Sequence, residues 1–340
     1  MTLDHAVALS LQDDLPRVGL TDRLLSDDPL LLRHIANADV RDARDLRLRA
    51  AERGIGVLAW NDPRFPAALL ATTDCPPALW FRGDLSAFEA PAVAIVGSRA
   101  ASPVALEAAA RIGEGLAAHG VAVVSGLARG ADSAAHRGAL RQGRTIAVLG
   151  SGVDRVYPAE HAGLASEIAR TGLVVSEYQP GAAPLPFRFP LRNRIISGLS
   201  RAVVVIEASE KSGSLITAGC ALEQGREVMA VPGNALNGRN RGGHALLRDG
   251  ARIVETAADV LVELGMTAPV AALAETANKG QSTNCDDPVL RAMVPGHPYD
   301  LDALAGAAGL HAARLLPRLS ELELRGMVTR LEGGRFMRSA

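Results

Sequence analysis

Residues 187–219 read Phe-Arg-Phe-Pro-Leu-Arg-Asn-Arg-Ile-Ile-Ser-Gly-Leu-Ser-Arg, then Ala-Val-Val-Val-Ile-Glu-Ala, then Ser-Glu-Lys-Ser-Gly-Ser-Leu-Ile-Thr-Ala-Gly. The middle piece decides the fold. Val203 to Ile206 is an unbroken β-branched run, the mark of a strand buried on both faces. After it, Lys211 to Thr217 is a loop of small residues that opens a helix ending near Gly225. Before it, Phe187 to Arg194 reads as a short loop with two rings and the cations Arg188, Arg192 and Arg194, followed by Arg201.

Working outward, the same unit repeats. Apolar runs stand at 92–96, 121–125, 145–149, 173–175, 203–206 and 228–231, with a weaker one near 252–254, and helical stretches separate most of them. Ser102-Pro103 is an N-cap with proline in the first turn, and Gly120 closes that helix. Strand and helix alternating at this spacing predict an α/β fold, a parallel sheet with helices on both faces. Ligands of such sheets bind at the carboxyl ends of the strands.

The rest of the chain divides around this block. Residues 1–52 read as a short helical module, or a lid on the next domain. Residues 54–264 form the sheet domain; it opens with a strand at Gly56–Trp60 and turn chemistry at Asn61–Pro66, with Trp80 and Phe81 read as core. Residues 265–285 are rich in Ala, Thr, Asn and Ser and read as a linker. In 286–340 a helix from Tyr299, a turn at Gly309, a helix over Arg314–Arg325 and a hairpin with a Gly-Gly turn describe a winged helix.

Composition narrows the function. The formal net charge is -1, so any polyanion site is a local patch and not a property of the whole surface. Lys211 and Lys279 are the only lysines among 36 basic residues, so the positive charge is nearly all arginine, which suits planar contacts to phosphate. Cys75, Cys220 and Cys285 have no ligand spacing, which argues against disulfides and metal. No apolar run reaches the length of a membrane span, and the N-terminus has no signal pattern, so a cytoplasmic protein is expected.

Three loops carry candidate chemistry. Gly97-Ser98-Arg99 follows the first strand of the block; the glycine admits a ligand to the backbone, and Ser98 and Arg99 can hold a phosphate. Ser125-Gly126 begins the second loop, which continues to Arg129 and Asp132. Ser212-Gly213-Ser214 with Lys211 offers backbone N–H groups and hydroxyls at a helix start, where an anion is favoured. Together with Phe187–Arg194 they predict a cationic groove lined by rings, suited to a single nucleic-acid strand, because bases stack on rings and arginines hold phosphates.

The dinucleotide fingerprint is absent, as is an acidic residue at the end of the second strand, and both omissions count against a redox enzyme. There is no phosphate-loop lysine, nucleophile elbow or zinc-protease helix, so no catalytic residue, metal or cofactor is expected. Asp132 is read as a helix cap and His136 as a packed histidine. Glu207 ends its strand in the groove region, where it can accept from an arginine or act as a base. In the last domain Arg314, Arg318 and Arg325 share a helical face, yet seven arginines there meet seven carboxylates, which leaves DNA and protein contact equally open.

These motifs resemble the DNA-processing protein A (DprA, or Smf) family of bacterial natural transformation. The resemblance runs from Gly54 to Leu264. It is carried by Gly97-Ser98-Arg99, Ser125-Gly-Leu-Ala-Arg-Gly-Ala-Asp132 with Ala135-His136, Thr145-Ile-Ala-Val-Leu-Gly150, Tyr157-Pro158 and Ser176-Glu177. Phe189-Pro-Leu-Arg-Asn-Arg-Ile-Ile-Ser-Gly-Leu199, Ser212-Gly-Ser-Leu-Ile-Thr-Ala218 and Ala230-Val-Pro-Gly233 follow in order, and 300–338 looks like the winged-helix tail of many members. The resemblance implies an extended Rossmann-like domain that binds single-stranded DNA, forms a homodimer, and passes the strand to the RecA recombinase against the single-strand binding protein, without catalysis.

By position it assigns DNA binding to Arg99, Phe189, Arg192 and Arg194, and to Lys211 with Ser212–Ser214; Asn193, between two of these arginines, is expected in the same site. Some members carry a lysine just before the Phe-x-x-Arg-Asn-Arg block; here the stretch is Pro184-Leu-Pro-Phe187, so Arg188 has to substitute. The competing reading is a nucleotide N-glycosidase of the related fold that uses Glu207 and Arg99; the missing Pro-Gly-Gly-x-Gly-Thr loop argues against it.

Overall fold

The β-branched runs become the middle of one nine-stranded sheet: β1 Gly56–Ala59, β2 Ala78–Gly83, β3 Ala92–Val96, β4 Ala122–Ser125, β5 Thr145–Val148, β6 Leu173–Ser176, β7 Ala202–Val205, β8 Glu227–Ala230 and β9 Arg252–Ile253. This is a computed structural model, which describes residues 2–12, 19–26, 28, 34, 39–266, 287–294, 296–324, 326–331 and 334–338. Across the sheet the strands run β1-β2-β6-β5-β4-β3-β7-β8-β9. From β6 to β9 every pairing is parallel. At the other edge β2 runs antiparallel to both β6 and β1, a departure from the all-parallel expectation. Between β1 and β2 stands a single helical turn, Ala67–Leu70, too short for a parallel crossover, so the chain returns as a hairpin-like pair.

All residues of β3 to β7 are buried, which is why these strands read as continuous apolar runs. Successive side chains alternate between the two faces. In chain order the helices of this body are α1 (Leu3–Ser10), α2 (Leu20–Leu25), α3 (Val40–Ala51), α4 (Ala67–Leu70), α5 (Pro103–Ala118) and α6 (Ala131–Ala139). Then come α7 (Ala162–Thr171), α8 (Arg188–Gly198), α9 (Gly213–Glu223), α10 (Arg241–Arg248) and α11 (Ala257–Glu263). Val93, Ile95, Val123 and Val204 face α5, α6 and α11. Ala94, Val96, Val203 and Val205 face α8 and α9. The N-terminal helices join the same body: Val7, Ala8, Ala43 and Ala50 share a core with the fully buried Trp80. Leu20 and Leu24 pack with Leu9 against Trp60. Phe81 packs against the main core, as its sequence context suggested.

The chain divides into two compact units, Met1–Ala268 and Pro269–Ala340. The second contains α12 (Pro288–Ala292), β10 (Pro298–Tyr299), α13 (Leu301–Ala308), α14 (Ala312–Leu324), β11 (Val328–Arg330) and β12 (Phe336–Arg338). Its strands are ordered β10-β12-β11 and its core is Leu290, Leu304, Leu315, Leu319, Leu322, Val328 and Phe336: a winged helix. Gly309 takes φ +65° at the turn between α13 and α14, where a glycine closes a helix without strain. Residues 267–285 of the expected linker, Arg325 and the first glycine of the Gly-Gly turn lie outside the described residues.

Candidate nucleic-acid interface

The chain builds outward from β3 through β4 and β5 to β6, then returns to place β7 on the other side of β3. The loops after β3 and β7 therefore leave in opposite directions and open a crevice, as at the switch point of any such sheet. A cleft of about 500 Å³ lies there. Gly97, Ser98 and Arg99 line it from one side, Ser212, Gly213 and Ser214 from the other, and Phe189, Arg192 and Asn193 from α8. Lys211 is exposed at its rim, one residue before Ser212.

Glycines set the shape of this cleft. Gly130 has φ +76°, and a side chain there would meet the Ser98 carbonyl at 2.1 Å, so the second loop lies directly against the first. The Ser98 N–H donates to the Glu207 carbonyl at 2.6 Å, which joins the two sides of the crevice. The Glu207 carboxylate accepts from the Ser102 N–H at 3.2 Å and its hydroxyl at 2.8 Å. Both of its oxygens are thus engaged with the cap of α5, a structural clamp where the sequence left a base open. The first turn of α9 is capped by Ser212, whose hydroxyl lies 2.7 Å from that of Ser214, and its positive end faces the cleft. Asn193 ties α8 to this turn through an N–H to the Gly213 carbonyl at 3.2 Å.

Phe187–Arg194 is not a loop. Phe187 is the N-cap of α8 and the rest is helix, so the three arginines point in different directions. Arg192 is buried: its guanidinium donates to the Gly126 carbonyl at 2.9 Å and to the Val148 carbonyl. Burial, with repulsion from Arg99, pushes it down to about 10 against the pull of Asp132, and it stays a cation at neutral pH. A Cβ on Gly126 would lie 2.6 Å from this guanidinium, which accounts for that glycine. Arg194 is also buried, 2.9 Å from Glu177 and 3.0 Å from Asp74. Burial disfavours its charge, yet the two carboxylates more than offset that and hold it above its ordinary value. Neither Arg192 nor Arg194 is the open phosphate ligand that the sequence suggested.

Other sequence-based expectations change as well. Ser125 is buried and donates to the Ile95 carbonyl at 2.6 Å. Arg129 is exposed but held by Glu160 in two bonds of 2.6 and 2.7 Å. Asp132 does not cap α6; it accepts from Gly126 and Ala128 N–H groups in the preceding loop. Its burial raises its pKa against the effect of Arg192. His136, by contrast, is the packed histidine the sequence predicts: it is fully buried with Nδ1 2.7 Å from the Thr145 hydroxyl, and burial lowers it to about 3, so it is neutral.

The open components are arranged around Phe189. One edge of its ring rests where a Cβ on Gly150 would come within 3.0 Å. The Arg99 guanidinium lies 5.7 Å from its centroid, and the Tyr157 ring 5.4 Å away at 46°. Tyr157 was absent from the expected site. Its signal was scarcity, as one of three tyrosines, but only the fold brings the loop after β5 to α8. In the winged helix, Arg318 is taken up by Asp287 and Glu321.

The family model described as DNA recombination-mediator protein A matches residues 56–265, and the one described as DprA winged helix domain matches 272–334. Protein Smf of Escherichia coli is 42% identical over 79% of this chain and 74% of its own length. DNA processing protein DprA of Streptococcus pneumoniae is 46% identical over 59% of this chain and 72% of its own. Among solved structures, DNA processing protein A of S. pneumoniae aligns with TM-score 0.63 at 36% identity, covering 77% of this chain and 93% of that one. DNA processing protein A of Helicobacter pylori, described for its single-stranded DNA binding mode, aligns with TM-score 0.56 at 29% identity, covering 62% and 95%. No helix among the described residues is long and apolar enough to cross a membrane.

Proposed function

The chain belongs to the DNA recombination-mediator protein A family, and from that premise we propose that its cleft holds single-stranded DNA and that the protein delivers the strand to the RecA recombinase during transformation. The observation that carries the reading is the convergence of Arg99, Phe189 and the Ser212–Ser214 turn on one cleft at the sheet's switch point. A ring with a free guanidinium beside it stacks a base, and a capped helix start with open N–H groups accepts a phosphate. Arg99 and Lys211 have no carboxylate partner among the described residues, unlike Arg129 and Arg194. Only the first pair is available to an incoming phosphate.

The protein acts by holding and not by breaking bonds. In support, Glu207 is engaged by Ser102 and His136 is buried in the core. Delivery in the cytoplasm against the single-strand binding protein, and assembly as a homodimer through the sheet domain, belong to the same reading. The two-residue edge strand β9 supports the latter, with its own Ile253 and Val262 of α11 left exposed.

The test is binding of a labelled oligothymidylate across a salt series, followed by recombinase loading on coated strands. Each phosphate contact contributes about 0.7 to the log–log slope on single strands. A finite slope that shrinks in Arg99→Ala with Lys211→Ala supports the reading; a slope near zero in the wild type overturns it. Wild-type protein that binds yet does not speed recombinase filament formation removes the delivery step alone.

A further inference from the structure

We propose that the strand leaves the cleft across a second base-stacking platform, formed by Phe187, Arg188 and Tyr178 and joined to the cleft through Phe189, the next residue of α8. The inference rests on the reading of the cleft as a single-strand site. Among the described residues the large exposed apolar side chains include two aromatic ones, Phe187 at 60% and Tyr157 at 44%. Tyr157 touches Phe189 of the cleft and Phe187 stands two residues before it, in a chain with only 3% aromatic residues. Leaving such a ring in water forgoes the gain of burying it, so two beside one cleft mark a contact surface.

The platform has an ordered geometry. The Arg188 guanidinium lies 4.5 Å from the Tyr178 centroid and 5.8 Å from that of Phe187, and its N–H donates to the Ala183 carbonyl at 2.9 Å. A planar cation between two rings presents stacking faces and positive charge at one place, the combination that unpaired nucleotides use. Pro184 and Pro186 precede the ring and limit the backbone freedom lost when a ligand settles there. Continuity comes from α8 itself, in which Phe189 of the cleft directly follows Arg188, and Tyr157 adds an exposed ring against Phe189. Arg188 thereby takes a role other than the one its position suggested. It does not reach into the cleft in place of a lysine; it organises the surface beyond it.

Leu185 and Leu191 are also exposed nearby, and a protein partner could use the same patch. The guanidinium between rings and the link to Phe189 favour bases. The test compares short (about six) and long (about twenty nucleotide) oligothymidylates by fluorescence anisotropy, a range that brackets the site sizes of single-strand binders. Phe187→Ala is expected to weaken the long oligomer about tenfold, the loss of a single stacked base, and to leave the short one unchanged. Phe187→Trp restores wild-type binding, which a folding defect would not allow. A long oligomer made abasic outside its central six nucleotides binds like the short one. Equal loss at both lengths, or wild-type binding of the long oligomer by Phe187→Ala, overturns the platform, and the second result assigns the patch to a protein. Wild-type protein that binds neither length overturns the cleft reading together with it.

Discussion

Helix α8 carries arginines with two kinds of work, and the chain shows the contrast within seven residues. Arg192 and Arg194 point inward, where carbonyls and carboxylates surround them. Arg188 lies instead against the rings of Tyr178 and Phe187, while Arg99 of the neighbouring loop lies against Phe189. A buried guanidinium has lost its water and is tolerated only because fixed partners replace it. Such a group cannot turn outward to a ligand without leaving those partners uncompensated. What it does is hold: Arg192 links the loop at Gly126 to the end of β5, and Arg194 links α8 to Asp74 and Glu177. Arg99 and Lys211, exposed and without a carboxylate partner among the described residues, remain available.

The contrast breaks most visibly at Arg194. Arg194→Ala removes the cation facing two carboxylates and is expected to cost about 3–5 kcal/mol, read as a lower urea midpoint, with DNA affinity of the folded fraction kept. A midpoint like the wild type's would mean that the inner group is not structural. Next comes the mirror-image change. Arg99→Ala with Lys211→Ala should leave the midpoint within error, weaken single-strand binding by about ten- to a hundredfold and lower the salt slope by about 1.4.

A smaller effect comes from pH and sharpens the inner half. His136 is neutral in the fold but protonated in the unfolded chain below its ordinary value of 6.5. Stability contributed by its neutral form is therefore complete above that value and falls as the pH drops toward about 3. The loss reaches about 2 kcal/mol by pH 5, since each pH unit of difference is worth about 1.4 kcal/mol. Asp132 acts in the opposite sense, because its raised pKa lets the folded state take up a proton first as the pH falls. Comparing wild type with His136→Gln between pH 7 and 5 isolates the histidine; parallel curves would show that it is not held neutral. The least effect belongs to Arg129→Ala. Its partner Glu160 lies with it at the surface, where ion pairs contribute little. Its midpoint and affinity should match the wild type within error, and a binding loss equal to that of Arg99→Ala would return Arg129 to the interface.

Much of this was legible in the chain. The run Val203–Ile206 and its repeats announce buried parallel strands, because a strand covered on both faces has no polar positions. Gly97 announced a close approach to the backbone, and the structure adds Gly126 and Gly130, packed against Arg192 and the Ser98 carbonyl. The reading failed at Phe187–Arg194. A proline three residues after Phe187 and a dense cluster of charge look like loop chemistry, yet Pro190 sits in the first turn of a helix, where its missing N–H costs nothing. Once that stretch is helical, 100° per residue turns an apparent cluster of cations into an inner set and an outer set. The antiparallel edge at β1 and β2 was invisible for a related reason: strand direction depends on which neighbour is met.

The amino-acid order by itself determined the class of sheet, the rim where its loops collect, and the family. These follow from periodicity, glycine placement and motif order, which are local properties of a chain. Which arginine faces a phosphate and which faces a carboxylate was decided only by the tertiary structure. The reason is physical: the sign and the availability of a charge are set by how much water it keeps and by what partners packing brings within about 3 Å, and neither is written in the residue's own neighbourhood.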